Sequence, residues 1–169
     1  MRATHTIIDS PLGELTLVGH GGVLAGVYFA EHTRRPDPTT FGSRDDTGFD
    51  AAARQLDEYF RGERTGFDLP LGPQGNPFEL RVWGLLRRIP YGRTCTYGQL
   101  AAVLGNPALA REVGAANARN PLSVVVPCHR VVGADGRLVG YAGGLERKRA
   151  LLKLEGAAPG GQMLLEGLG

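Results

Sequence analysis

Apolar and polar positions alternate along three short runs near the start of the chain, at residues 4–8, 14–18 and 23–29. A period of two with β-branched residues predicts strands. Asp9-Ser10-Pro11-Leu12-Gly13 and Gly19-His20-Gly21-Gly22 are turn sequences, so the three strands read as an antiparallel meander. Residues 31–48 are rich in Pro, Asp, Thr, Arg and Gly without any period, which predicts a long mobile loop. From Phe49 the spacing becomes helical, with Ala52, Ala53, Leu56, Tyr59 and Phe60 on one face and Gly62 as the stop. Residues 67–71 read as a short strand, and Gly72-Pro73-Gln74-Gly75 as a boundary.

The second half opens on a helix signal. Asn76 can cap, Pro77 suits the first turn, and Glu79 can complete a capping box. Phe78, Val82, Trp83, Leu85 and Leu86 form its apolar face, and Pro90 follows its end. Residues 97–118 read as helix, tight turn and helix, with Gly105 ending the first and Asn106-Pro107 opening the second. The second helix is built of small residues: Ala108, Ala110, Gly114, Ala115, Ala116 and Ala118. Gly114 costs about 1 kcal/mol against Ala in a helix interior. Its use is either close packing on a neighbouring helix or close approach to a nucleic-acid groove. Val124-Val125-Val126 reads as a buried strand broken by Pro127, with Val131-Val132 beyond it. A last helix spans about 145–154, and a Gly-rich tail occupies 157–169. The pattern defines an α+β chain with two parts: 1–75, mainly antiparallel sheet with a helix, and 76–169, mainly helical.

Composition narrows the classes. The chain has 169 residues, 42% of them hydrophobic, enough for one compact unit or two small ones sharing a core. Two cysteines exclude a disulfide framework and a Cys-rich zinc site. No apolar run is long enough for a bilayer, and the first residues lack the order of a signal peptide, so a cytoplasmic protein without membrane association is expected. The net charge of +2 conceals an asymmetry: residues 1–75 carry seven Arg against eleven Asp and Glu, net −4, and residues 76–169 are net +6. A basic half suits a polyanion such as nucleic acid, or is ordinary surface variation.

The strongest candidate for chemistry is Cys128, in Pro127-Cys128-His129-Arg130. Cationic neighbours lower a cysteine pKa from about 8.5 and favour the nucleophilic thiolate. A packed, inert cysteine is the alternative. Adjacent side chains diverge, so a proton relay from Cys128 to His129 calls for a water or a turn. Glu155, at a helix end before Gly156, is the best remote carboxylate to orient the imidazole. Attack on a carbonyl would make this a cysteine hydrolase with many turnovers. Attack on an alkyl carbon would leave a thioether, and the protein would act once. A third reading is a non-enzymatic DNA binder or regulator that uses the helix-turn-helix. The residues alone leave all three open.

In order and spacing, several segments resemble one family: Pro90-Tyr91-Gly92 with Thr94 and Tyr97, Gly105-Asn106-Pro107, Ala110-Arg111 with Val113-Gly114, Asn120-Pro121, Val126-Pro127-Cys128-His129-Arg130-Val131, Gly140-Tyr141 with Gly143-Gly144, and Glu155-Gly156. Across about residues 76–156 the chain resembles the O6-alkylguanine-DNA alkyltransferases, also called methylated-DNA–protein-cysteine methyltransferases. The resemblance implies a ribonuclease H-like N-terminal domain at 1–75 and, at 76–169, a DNA-binding alkyltransferase domain with its helix-turn-helix at about 97–118. It implies irreversible, stoichiometric transfer of an alkyl group from O6-alkylguanine, and also O4-alkylthymine, to Cys128, with the base flipped out of duplex DNA. His129, Glu155, Tyr97 and Asn120 would complete the catalytic set. Tyr97, Val131 (through its carbonyl), Tyr141 and Ala142 (through its N–H) would bind the base. Arg111, Ala110, Gly114 and Arg130 would meet DNA in the minor groove, with Arg111 filling the vacated place in the stack. No cofactor and no metal are implied, and the partner is double-stranded DNA met by a monomer, cooperativity along DNA being left open. Cys95 has no implied role; so near Tyr97 it is a second thiol open to oxidation or alkylation. The family position of the nucleophile holds Cys, not the Trp of alkyltransferase-like binding proteins.

Overall fold

Alternating Leu, Val and Phe side chains give the N-terminal half its sheet. In a computed structural model of the chain, which describes residues 2–157, β1 (Thr4–Ile8), β2 (Leu15–His20) and β3 (Val23–Phe29) form the expected meander. Leu15, Leu17, Val27 and Phe29 pack on Leu56 and Tyr59 of α1 (Asp50–Phe60).

The 31–48 segment is more ordered than its composition suggested. It contains a 3-10 turn at Pro38–Phe41 and a fourth strand, β4 (Ser43–Arg44), which runs parallel to β1 and completes the order β3-β2-β1-β4. Phe41 is the cause. Its ring stacks on Tyr28 at 5.4 Å and, with Val18, covers the second face of the sheet. Residues 67–71 form no strand; Leu71 makes one isolated bridge to Leu24.

In the C-terminal half, α2 (Pro77–Leu86) starts on the expected capping box, the Asn76 side chain accepting from Glu79 N and the Glu79 carboxylate from Asn76 N. Trp83 is buried as packing and also donates its indole N–H to the Ala116 carbonyl at 2.8 Å. That bond ties α2 to the helix-turn-helix of α3 (Tyr97–Val103) and α4 (Ala110–Ala118). The bend between them has a clear physical origin. Gly105 at φ +96° lets its N–H reach the Ala102 carbonyl and Asn106 N–H reach Ala101, closing α3 in a Schellman motif. Asn106 then caps a 3-10 turn, Pro107–Leu109, before α4 begins.

Val124-Val125-Val126 is not a strand. The segment folds through tight turns, Val125 N to Ser123 O and Val126 N to Leu122 O, both 2.8 Å, and Val124 sits at φ +71°. These valines are buried without strand pairing: their β-branched pattern reported burial, which periodicity alone cannot separate from sheet. Only the second valine run pairs, as β6 (Val131–Val132) parallel to β5 (Cys95–Thr96). The chain ends its described part in α5 (Leu145–Leu154); the expected Gly-rich tail lies beyond Ala157, outside the described residues. One hydrophobic core runs through both halves, from Leu15 and Tyr59 to Leu100 and Leu151.

Candidate active site

Cys128 opens a 3-10 turn, Cys128–Arg130, directly after Pro127. The preceding loop is fastened by Asn120: its amide Nδ2 donates to the Val126 carbonyl at 2.9 Å, and its Oδ1 accepts from Leu122 N at 3.0 Å. Asn117 of α4 reaches the same turn, donating to the Cys128 carbonyl at 3.4 Å. The thiol is 2% exposed, yet it forms part of the wall of a cavity of about 700 Å³. Tyr97, Ala110, Arg111, Gly114, Tyr141 and Ala142 line that cavity with it.

Behind the thiol lies a charge network centred on Glu155. α5 ends in a second Schellman motif, with Gly156 at φ +71° and bonds from Gly156 N to Lys153 O and Ala157 N to Leu152 O, and this fixes the helix end that bears Glu155. Its Oε2 receives His129 Nε2 at 2.8 Å, Tyr59 Oη at 2.5 Å and Arg130 Nη2 at 3.0 Å, while Oε1 receives Arg130 Nε at 2.8 Å. Burial alone would raise the Glu155 pKa. The His129 bond and the Arg130 guanidinium outweigh it and hold the carboxyl at about 2.

An ionised Glu155 accepts from His129, so the proton of the neutral ring belongs on Nε2. Burial lowers the imidazole pKa, which keeps the ring neutral at pH 7. Its Nδ1 is buried and has no hydrogen-bond partner among the described residues. The neutral ring therefore keeps the Nδ1 lone pair unprotonated, and no hydrogen bond joins it directly to the neighbouring thiol.

The thiol differs from its sequence reading. Burial raises the Cys128 pKa; the Asn120 side chain and the Lys148 charge act against it without reversing it. At neutral pH Cys128 therefore rests as the thiol rather than the thiolate. Arg130 is not the cation responsible, nor is it a DNA contact: it is buried, paired with Glu155, and its Nη1 donates to the Ile89 carbonyl at 2.6 Å. The cation that acts on Cys128 is Lys148 of α5, which the basic run Arg147-Lys148-Arg149 gave no means to single out. It is fully buried, its Nζ donates to the carbonyls of Gly140 (3.0 Å) and Val139 (3.3 Å), and burial lowers its pKa to about 8. Only its place one helical turn from Leu151 and Leu152, both buried, hinted that it faces inward.

The remaining candidates divide. Tyr97 donates its hydroxyl to the Val139 carbonyl at 2.9 Å, sharing that acceptor with Lys148. Val131 is fully buried, paired with Cys95, and absent from the cavity wall. Cys95 is also off the cavity, and burial pushes its thiol up to about 12, so it is an inert core residue. Thr33 and Arg34, from the N-terminal half, do line the cavity, and sequence reasoning missed both. Among the described residues no group of three or more His, Cys, Asp or Glu could hold a metal, and no helix is long and apolar enough to cross a membrane.

The fold is thus a sheet-and-helix half joined to a helical half, in which a small-residue helix-turn-helix borders a cavity with a buried thiol in its wall and a His–Glu pair behind it. Two family models match the chain: 6-O-methylguanine DNA methyltransferase, ribonuclease-like domain, over residues 4–73, and 6-O-methylguanine DNA methyltransferase, DNA binding domain, over residues 77–157. The methylated-DNA–protein-cysteine methyltransferase of Mycobacterium tuberculosis is 51% identical over 148 residues, covering 88% of this chain and 89% of that protein. Its namesake from Methanosarcina acetivorans is 45% identical over 153 residues, covering 90% and 98%. The crystal structure of the M. tuberculosis O6-methylguanine methyltransferase superposes with a TM-score of 0.84 at 49% identity, covering 91% of this chain and 93% of that one. The M. tuberculosis protein in complex with DNA gives 0.83 at 48% identity, covering 92% and 93%. The chain belongs to the methylated-DNA–protein-cysteine methyltransferase family.

Proposed function

We propose that this protein repairs DNA by direct reversal, moving the alkyl group of O6-alkylguanine, and of O4-alkylthymine, onto Cys128 once and irreversibly. The observation that carries the reading is the unpartnered Nδ1 of a buried, neutral His129 whose Nε2 is held by Glu155, beside a thiol on a cavity wall. Through a water, Nδ1 takes the Cys128 proton, and Glu155 stabilises the imidazolium that forms. The sulfur then forms a bond to the alkyl carbon as the carbon–O6 bond breaks, its electron pair passing to the guanine. Tyr97 exchanges its bond to Val139 for one to the departing base, to which it gives a hydrogen bond or a proton. Asn120 holds the loop that presents the thiol. Tyr141 and the Ala142 N–H contact the base within the cavity. Val131 itself does not line the cavity, and its carbonyl remains the proposed acceptor for the exocyclic amine of the base. Water does not cleave the resulting thioether, so each molecule acts once.

The small face of α4, Ala110, Gly114 and Ala118, suits close approach to the minor groove of duplex DNA, and Arg111, exposed at the cavity, fills the gap left by a flipped nucleotide in this reading. The protein acts as a monomer in this reading, in the cytoplasm, where the thiol stays reduced. Intact mass after incubation with a duplex bearing O6-methylguanine tests the proposal. One added methylene per molecule, located on Cys128, is expected; an unchanged mass, or release of product over many turnovers, refutes it.

A further inference from the structure

The cavity beside Cys128 is closed on one side by the N-terminal half, through a turn that the proposed chemistry does not use. Thr33 N donates to the Ala142 carbonyl at 2.7 Å, so this turn is bonded directly to the Gly-rich segment of the other half. Its own backbone closes through His32 N to Phe29 O and Arg35 N to His32 O. The His32 ring is buried, stacked on Phe29 and edge-on to Tyr28. Arg35 is anchored too, donating to Thr16 Oγ1 at 3.1 Å and lying over the Phe41 ring at 5.4 Å.

Between these fixed neighbours stands Arg34, at φ +60°. That conformation suits Gly or Asn, and a long side chain there is unusual. Arg34 is exposed and lines the same cavity as Arg111. No residue among those described in the cavity wall is acidic, and neither guanidinium has an ion-pair partner among the described residues. The rest of the N-terminal half is net acidic. Two free guanidinium groups at one cavity repel each other unless an anion lies nearby. The anion that accompanies a nucleotide into a cavity is its own phosphodiester, and arginine matches phosphate with paired donors.

We infer that Arg34 binds a backbone phosphate of the strand that carries the target nucleotide, so that the nucleotide enters the cavity between Arg34 of the N-terminal half and Arg111 of α4. This rests on the proposed function and assigns the N-terminal half a direct part in holding DNA. The contact is electrostatic and independent of sequence.

The test is a salt titration of duplex binding, using DNA that bears O6-methylguanine and a Cys128→Ser background so that transfer does not intervene. Each phosphate contact adds about 0.9 to the slope of log K against log salt. Arg34→Ala is expected to bind several-fold more weakly at low salt, with a slope smaller by about 0.9. Arg34→Gly, which suits the positive φ, should match it, and Arg34→Lys should recover most of the slope. An unchanged slope in both the Ala and Gly variants overturns the inference. So does a Lys variant as defective as Ala, or a defect confined to Ala, which would trace the effect to the turn. The unsubstituted protein is assayed for mass gain in parallel. Mass gain with an unchanged slope refutes only the Arg34 contact, whereas no mass gain refutes the alkyl-transfer reading itself.

Discussion

At Glu155 one carboxylate accepts four hydrogen bonds, from Tyr59, His129 and twice from Arg130, without contact with solvent. Its folded pKa of about 2 lies below the ordinary value of 4.5. The stability it contributes is therefore fully present above about pH 4.5 and is lost as pH falls toward 2. The size is about 3 kcal/mol. Glu155→Gln keeps the shape but leaves the Arg130 guanidinium buried beside a neutral group. We expect urea unfolding at pH 7 to show a loss of about 3–5 kcal/mol, with a flatter acid dependence between pH 4.5 and 2. Alkylation of the variant should also slow at neutral pH, because no anion then stabilises the imidazolium. An acid profile identical to that of the parent would show that Glu155 is not the group that titrates. Lys148 is the complementary cation. It joins α5 to the Val139–Gly140 carbonyls at the cavity and opposes the burial that keeps Cys128 protonated.

The helix-turn-helix is set by two elements of local chemistry. The Schellman motif at Gly105 turns the chain, and the Trp83 bond to Ala116 fixes where α4 lies. Within α4, Gly114 is the informative position. A Cβ there would meet only the Tyr97 ring, at 3.8 Å, an ordinary contact. Packing inside the protein therefore does not require glycine, and close packing on a neighbouring helix fails as its explanation. Gly114→Ala should raise thermal stability, by roughly 0.5–1 kcal/mol, as glycine in a helix interior is costly. The same change should weaken duplex binding if α4 docks as proposed, because the added methyl would then stand between the helix and the groove. Higher stability with unaltered DNA affinity would remove α4 from the interface. The loop before Cys128 is the opposite case, an element without regular structure that is held by side-chain bonds from Asn120 and by burial of its valines.

The two halves of the molecule share one hydrophobic core and several polar ties. Val27 N donates to the Pro121 carbonyl at 2.8 Å, and Arg147 of α5 lies over Phe29 at 4.9 Å while donating to the Leu12 carbonyl. Tyr59 on α1 reaches across to Glu155, the carboxylate proposed to orient His129. A core continuous between two small halves leaves neither with a sufficient interior of its own. Heat or urea should therefore unfold the protein in a single transition, seen identically by circular dichroism and by Trp83 fluorescence. Tyr59→Phe removes a hydrogen bond to a charged group and should lower stability by about 1.5–3 kcal/mol while keeping that single transition. Two separated transitions would mean that the halves fold independently and that the shared core contributes little.

Much of this was determined by sequence. The meander, the capped start of α2 and the glycine-terminated helices follow from short-range signals: side-chain period, cap residues and left-handed glycines; Cys128 and His129 stood out by adjacency, and Glu155 only by its place before a helix-ending glycine. Those forces act over a few residues and leave a readable mark. Tertiary structure alone decided the rest. It turned a valine run into a loop, because β-branched burial looks the same in both. It moved Arg130 from a DNA contact to a buried partner of Glu155, made Lys148 the cation beside the thiol, and kept that thiol protonated by desolvation. Charge state and partner choice depend on groups far apart in the chain that come within a few ångströms only when it folds, and no local pattern encodes that distance.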